Sequence, residues 1–244
     1  MKLLAFETAT EACSVAVWDD GEVRERFEIA PRRHAELALP WAEALLADAC
    51  IARSQLDAIA VGRGPGAFTG VRLGVALAQG IALALDRPVV PVSTLAALAM
   101  RARPTRADAG RDGGAAPARI VAAIDARMSE VYAAAFEREG DVLRPLTPET
   151  VSAPEAVAWP AGGDDWYGVG TGFAAVDGLL AVRWSARLRG VDATELPHAA
   201  DVARLAAAAF ARGEAVAPER LEPAYLRDRV ALTLAEQQAL RAAR

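Results

Sequence analysis

The sequence predicts a two-lobed α/β protein in which a βββαβα unit occurs twice. Apolar strand-like runs alternate with Ala- and Leu-rich helical patterns along the whole chain. A strand, a glycine turn and a helix follow one another in both halves, at 58–85 and at 166–180, and a polar, Gly- and Pro-rich stretch at 104–117 lies between the halves. We therefore expect lobes at 1–103 and 118–229, a linker at 104–117, and a closing helix at about 230–244 that returns to the first lobe.

The first half opens with three strands that form an antiparallel group. Residues 2–6 and 12–18 are short apolar runs, and the turn residues 19–21 lead into 22–29, which alternates apolar and polar residues. Pro31 can start a helix, and apolar residues at helical spacing continue it to Ala49. The rest of this half is predicted as strand 56–61, helix 68–85, strand 88–92 and a helix from Ser93 to about 103.

A glycine loop joins the strand 56–61 to the helix that begins at Phe68. It contains Gly62, Gly64 and Gly66, and Gly70 follows in the first turn of the helix. Glycines at such a joint let the backbone come close to another chain segment or to a phosphate. Gly62-x-Gly64 fits the dinucleotide fingerprint only weakly, because Asp86 precedes the next strand instead of following it. The sequence alone leaves a tight structural turn as the main alternative to a phosphate site.

The second half repeats the order of the first. Strands are predicted at 120–124, 130–136, 141–144 and 166–169, and a short helix at 154–159. A second glycine turn at 170–172 precedes a helix at 173–180, and an Ala-rich helix spans 198–212. Residues 218–229 are expected to be extended and 233–244 helical. The same order of elements in both halves indicates a duplicated α/β unit.

Composition excludes several classes of protein. The net charge is −5, so nothing in the overall charge attracts nucleic acid or an anionic membrane. Lys2 is the only lysine, which excludes a P-loop. Cys13 and Cys50 show no metal-binding spacing, nothing at the start resembles a signal peptide, and the longest apolar run, 71–85, is shorter than a bilayer span. These features suit a cytoplasmic protein without a membrane segment.

Several motifs resemble one family closely. They are residues 6–17, Arg33-His-Ala-Glu36, the run GRGPGAFTGVR at 62–72, residues 92–95, residues 124–132 and Pro223-Ala-Tyr-Leu-Arg227. The duplicated βββαβα plan is that of the actin, sugar-kinase and Hsp70 superfamily, and the motifs are similar to those of the bacterial TsaB family, also called YeaZ.

This resemblance implies a dimerisation or scaffold subunit of the complex that places threonylcarbamoyl on N6 of adenosine 37 in ANN-decoding tRNAs. The implied partners are the catalytic paralogue TsaD and the ATPase TsaE, with a homodimer when TsaD is absent and tRNA reached only through the complex. Where TsaD carries a metal-binding H-x-x-x-H pair, this chain has Thr94 and Leu98, so the resemblance implies no metal, cofactor or catalytic residue of its own.

Nucleotide binding is a further question that the resemblance raises. Glu7 replaces the aspartate that usually follows the first strand of the family, and Glu7, Thr8, Gly170 and Gly172 mark the place of a vestigial nucleotide pocket. Two other functions stay open at this point. One is an ATP-dependent small-molecule kinase of the same superfamily, and the other is an inactive homologue of the M22-type metallopeptidases.

Two helices are predicted to bind the partner. Helix 31–49 and helix 68–85 carry apolar and small residues at helical spacing, and an apolar helix surface of this kind suits a four-helix bundle with a second chain. The residues expected in the contact are Leu37, Trp41, Leu45, Val71, Gly74, Val75, Ala78 and Ala82. The alternative is that both faces cover the sheet of their own lobe.

Overall fold

The structure is a computed structural model that describes residues 1–103, 118–140, 142–163 and 165–227. The elements of the first half are β1 (Lys2–Glu7), β2 (Ala12–Asp19), β3 (Glu22–Ile29), α1 (His34–Asp48), β4 (Ala58–Gly62), α2 (Phe68–Leu85), β5 (Val89–Val92) and α3 (Thr94–Ala99). Those of the second half are β6 (Arg119–Arg127), β7 (Glu130–Glu139), β8 (Val142–Pro145), β9 (Thr150–Ser152), β10 (Trp166–Val169), α4 (Ala175–Trp184), β11 (Leu188–Asp192) and α5 (Ala199–Ala211).

The two sheets have the same topology. The first has the order β3-β2-β1-β4-β5 and the second β8-β7-β6-β10-β11, with β9 added beside β7. In both sheets the first three strands along the chain are antiparallel, a later strand pairs in parallel with the first one, and one more strand pairs in parallel with that later strand. The predicted duplication of an α/β unit is therefore confirmed.

Each sheet is covered on both faces, and one helix from each half of the chain packs on the sheet of the other half. Helices α1 and α2 pack on one face of the first sheet, and α5, from the second half of the chain, packs on the opposite face. Helix α3, from the first half, packs on the second sheet, whose other face is covered by α4. Residues on α3 and α5 are mostly alanine and leucine, which allows helices to lie close to a sheet.

This exchange of helices corrects the expected lobe boundaries. The sequence placed 198–212 in the second lobe, but Ala199, Val202, Ala203 and Ala206 of α5 are fully buried against strands of the first sheet. Arg101 reinforces the junction through ion pairs with Glu195 at 3.0 Å and Asp201 at 3.8 Å. The linker at 104–117 and the closing helix at 230–244 lie outside the described residues.

One predicted helix is absent from the structure, and two of its strands were not predicted. Residues 154–159 form a turn and no helix, because Pro154 and Pro160 leave room for little more than one turn. Strands β9 and β11 were not predicted from the sequence. β11 lies at the sheet edge and is partly exposed, so it lacks the apolar run that identified the buried strands.

The segment 218–227, here called the C-terminal strap, runs along α2 and then reaches the second lobe. The Gln79 side-chain amide donates hydrogen bonds to the carbonyls of Pro218 and Leu221, at 3.1 and 3.2 Å. Further on, Arg227 donates to the Ala126 carbonyl at 3.1 Å and pairs with Glu130. The strap therefore ties one edge of α2 to the β6–β7 turn.

Candidate functional site

The glycine loop holds the β1–β2 turn of its own chain. A Cβ at Gly66 would lie 2.3 Å from the Ala9 carbonyl oxygen, and one at Gly70 would lie 2.0 Å from that of Thr8. The Thr8 hydroxyl donates to the Gly70 carbonyl at 2.8 Å, and the Ala67 amide donates to the Ala9 carbonyl at 2.7 Å. The close approach expected of these glycines is thus made to protein backbone.

Glu7 ends β1 and lies completely inside the protein. Its Oε1 accepts a hydrogen bond from the Ala9 amide at 2.8 Å, and its Oε2 accepts one from the Thr94 hydroxyl at 3.0 Å. Gly62 lies against the same carboxyl group, since a Cβ there would be 1.9 Å from Oε2. Burial raises the pKa of Glu7 to about 7, and the hydrogen bonds from Ala9, Thr94 and Thr8 only partly oppose that rise.

Thr94 and Leu98 occupy the space between the lobes. Both side chains are fully buried, and the Thr94 oxygen also accepts a hydrogen bond from the Gly64 amide at 3.2 Å. One turn further along α3, Leu98 contacts the second-lobe glycine turn so closely that a Cβ at Gly170 would lie 2.4 Å from its Cδ2. A hydroxyl and an aliphatic side chain therefore fill this point.

The four residues expected to mark a nucleotide pocket are packed in the interior. Glu7 and Thr8 have no exposed surface, Gly170 lies between Leu98 and Ala123, and a Cβ at Gly172 would be 2.7 Å from that of Ala123. None of the four lines the cavity between the lobes. In this structure the four residues therefore line no opening between the lobes, and Leu98 of α3 packs directly on Gly170.

A cavity of about 630 Å³ lies elsewhere between the lobes. The start of α1, the start of α2 and the end of β6 surround it, and its polar lining includes Arg32, Asp125, Tyr132 and Thr171. His34 is buried beside it, with Nε2 at 3.0 Å from the Thr10 carbonyl and 3.1 Å from that of Ala12. The histidine thereby fixes the β1–β2 turn onto α1.

The residues expected to bind a partner split into two groups. Val71, Gly74, Val75, Ala78 and Ala82 of α2 are buried against the sheet of their own lobe, as is Leu45 of α1. These six residues face the sheet, as expected if the two helices use this side to cover their own lobe. Leu37 and Trp41 of α1 are only partly buried and also contact this core.

The outward face of α2 is nevertheless apolar. Leu83 is 62% exposed, and Ala76, Gly80 and Ala84 share the exposed side of the helix. Beside it, a groove of about 210 Å³ runs between α1 and α2, lined by Leu39, Leu46, Ile81 and Leu85 among others. We call Leu39, Ala76, Gly80, Leu83 and Ala84 the outer helix face. Sequence periodicity could not locate it, because α2 is apolar on nearly every side.

Length and composition alone would let α2 cross a membrane. Its 18 residues have a mean hydropathy of 1.6, and it is the one such helix in the described part of the chain, with 33% of the residues buried. Its inward side packs on the first sheet as part of the fold. The two duplicated sheets and the helices that cover them define a two-lobed α/β protein of the actin and Hsp70 plan, in whose described residues one face of α2 is apolar and exposed.

Comparisons with known proteins agree with this class. Residues 27–233 match the family model described as TsaD: tRNA N6-adenosine threonylcarbamoyltransferase. The tRNA threonylcarbamoyladenosine biosynthesis protein TsaB of Escherichia coli is 42% identical over 95% of this chain and 96% of its own, and that of Haemophilus influenzae is 37% identical over 94% and 95%. The structure of YeaZ from Pseudomonas aeruginosa, 45% identical, covers 92% of this chain and 99% of its own with a TM-score of 0.78. The chain belongs to the TsaB family.

Proposed function

We propose that this chain acts in the biosynthesis of threonylcarbamoyladenosine in tRNA as a cytoplasmic, non-catalytic subunit. Its partner is TsaD, TsaE joins the complex, and tRNA is reached only through the assembled subunits. In the absence of TsaD the same surface joins two copies of the chain. Membership of the TsaB family supports the pathway, since the Escherichia coli and Haemophilus influenzae relatives are biosynthesis proteins of this modified nucleoside.

The observation that carries the scaffold role is the outer helix face. A helix as apolar as α2 is normally buried on every side, yet within the described residues only its inward side and the edge beside the C-terminal strap are covered. Small residues at 76, 80 and 84 let a second helix come close, and the exposed Leu83 can enter a pocket of the partner. Helices α1 and α2 with a matching pair would form a four-helix interface.

The packing of Thr94 and Leu98 between the lobes supports the absence of a catalytic role. Thr94 hydrogen-bonds Glu7 where the catalytic paralogue would carry a metal-binding histidine, and Leu98 packs on Gly170. No group of three or more His, Cys, Asp or Glu side chains that could hold a metal occurs in the described ranges. Catalysis is accordingly assigned to the partner.

The outer helix face is tested by Leu83→Glu. Burying an unpaired carboxylate in the interface should weaken association with TsaD by about a thousandfold, and activity of the reconstituted complex should fall with it. Val182→Glu is the matched control, because Val182 is 68% exposed on helix α4 of the second lobe. Analytical ultracentrifugation measures association, and circular dichroism verifies folding. A folded Leu83→Glu variant that binds TsaD as tightly as the wild type would refute this surface.

A further inference from the structure

A cluster of two aromatic rings and one guanidinium lies at the end of the outer helix face. The Arg72 guanidinium stacks 3.6 Å from the centre of the Phe68 ring and 5.4 Å from that of Tyr225, and its Nε donates a hydrogen bond to the Tyr225 hydroxyl at 2.7 Å. Phe68 and Tyr225 are each 54% exposed. The C-terminal strap thus holds an α2 arginine rigidly between two solvent-facing rings.

Arg72 differs from the arginines around it. Arg63 pairs with Glu149, and Arg227 of the strap pairs with Glu130. Arg72 makes no ion pair with any described residue, and neither of its terminal nitrogens has a hydrogen-bond partner there. The Phe68 ring covers one side of the guanidinium, and the two terminal nitrogens form a fork suited to a carboxylate.

A second copy of this chain presents no free carboxylate from the same two helices. Helix α2 contains no acidic residue. The three acidic residues of α1 are already paired within the chain, Glu36 with Arg33, Glu43 with Arg53 and Asp48 with Arg26. A different protein that docks on this face can supply an unpaired carboxylate, whereas helices α1 and α2 of a symmetric copy carry only paired ones.

We infer that Phe68, Arg72 and Tyr225 form an anchor that receives a carboxylate from a different protein and thereby favours the heteromeric complex over self-association. This inference rests on the proposed function, since it assigns a specificity element at the edge of the outer helix face. Tyrosine and arginine are enriched among residues that dominate interface energetics, and charge complementarity selects among partners that fit equally well.

Arg72→Gln tests the anchor. The variant keeps a polar but shorter side chain and loses the charge, so affinity for TsaD should fall by about 30-fold, the loss typical of a dominant interface residue. Self-association should change by no more than about fivefold, the scale of an exposed ion pair. Tyr225→Phe, which frees Nε but keeps the ring, should lower TsaD affinity less than Arg72→Gln does. Arg144→Gln is the matched control, because Arg144 is 67% exposed on β8 of the second lobe.

The salt dependence of the affinity for TsaD distinguishes a charge contact from packing alone. The difference in TsaD affinity between wild type and Arg72→Gln should shrink as salt rises from 0.05 to about 0.5 M, because ions screen the pair. Equal affinities of both proteins, with Leu83→Glu still disruptive, would overturn the anchor and leave the proposed function intact. Equal losses in the heteromeric and self-associated states would also overturn it. Loss of binding to a single-stranded RNA oligonucleotide, with protein association unchanged, would assign the cluster to RNA instead.

Discussion

A glycine weakens a helix unless the missing side chain makes room for something, and α2 contains both cases. Gly70 lies where a Cβ would be 2.0 Å from the Thr8 carbonyl oxygen, whereas a Cβ at Gly80 would meet nothing within 4 Å. The first glycine is therefore required by the β1–β2 turn. The second is required by nothing within the described chain and lies on the outer helix face.

The two glycines give opposite predictions. Gly70→Ala should lower the free energy of unfolding by more than about 2 kcal/mol, because backbone must move to admit the methyl group. Gly80→Ala should raise it by about 0.5–1 kcal/mol through better helix propensity. Urea unfolding of both variants measures the difference. Equal effects of the two substitutions would contradict the assigned contact between α2 and Thr8.

Glu7 provides a second prediction at the scale of a single residue. Its pKa is about 7 in the folded protein and 4.5 in the unfolded reference, so the folded state holds the proton more tightly. The corresponding stabilisation is fully present below about pH 4.5 and is lost as the pH rises through 7, amounting to about 3 kcal/mol. In Glu7→Gln this pH dependence should disappear.

Urea unfolding from pH 4.5 to 8 measures this pH dependence of stability, with Glu36→Gln on the exposed side of α1 as control. The difference in unfolding free energy between Glu7→Gln and wild type should move in favour of the variant as the pH rises. A difference that stays constant with pH would show that the Glu7 carboxyl titrates near its ordinary value in the folded protein.

At the scale of elements, a side-chain network holds the first turn of α5 against the first sheet. Glu25 on β3 accepts hydrogen bonds from the Ser14 hydroxyl at 2.7 Å and from the Ala200 amide at 2.9 Å, and lies 2.9 Å from Nδ1 of His198. The Ser14 oxygen accepts from the Ala199 amide at 2.9 Å, and the His198 ring stacks on Phe27 at 4.0 Å. Amides at the start of α5 thus find acceptors on strands β2 and β3.

Glu25→Gln should loosen this attachment. Burial alone would raise the pKa of Glu25, but the hydrogen bonds from His198, Ser14 and Ala200 outweigh it and lower the pKa below 4.5. The contribution to stability is therefore present above pH 4.5 and is lost as the pH falls through the lowered value. We expect Glu25→Gln to cost about 1.5–3 kcal/mol at pH 7, and the gap to the wild type to close in acid. Hydrogen exchange at the first amides of α5 should rise in the variant, and unchanged exchange would contradict the role of Glu25.

Periodicity predicted most elements and the duplicated topology because buried strands and amphipathic helices leave strong patterns. It placed α2 correctly but could not tell which side of it faces the sheet, since the residues at 71, 75, 78 and 82 and those at 76, 80 and 84 are equally apolar and small. Only the position of the sheet distinguishes them. Arg72 and Tyr225 are far apart in sequence, so no local pattern could reveal their contact.

At the scale of the whole molecule, the lobes are connected by more than the chain between them. Helix α3 covers the second sheet and α5 covers the first, and Arg138 of β7 donates hydrogen bonds to the Met100 and Ala102 carbonyls at 3.0 and 2.8 Å. The Arg101 ion pairs cross the same junction. A hinge that opened the centre would have to separate both buried helix contacts, so the proposed docking face is carried on a rigid body.

The exchange of helices also sets the order in which the chain can mature on the ribosome. The five strands of the first sheet have all been synthesised once Val92 is added, but α5, which covers their second face, begins only at Ala199. Until then the face of the sheet that α5 will cover stays open to solvent or to a chaperone, because contacts this distant in sequence form last. This face carries Leu3, Ala5, Ala58 and Ala60. A chain stalled between these two points lacks the helix that covers the second face of its first sheet, so we expect the nascent protein to bind chaperones most strongly in this interval.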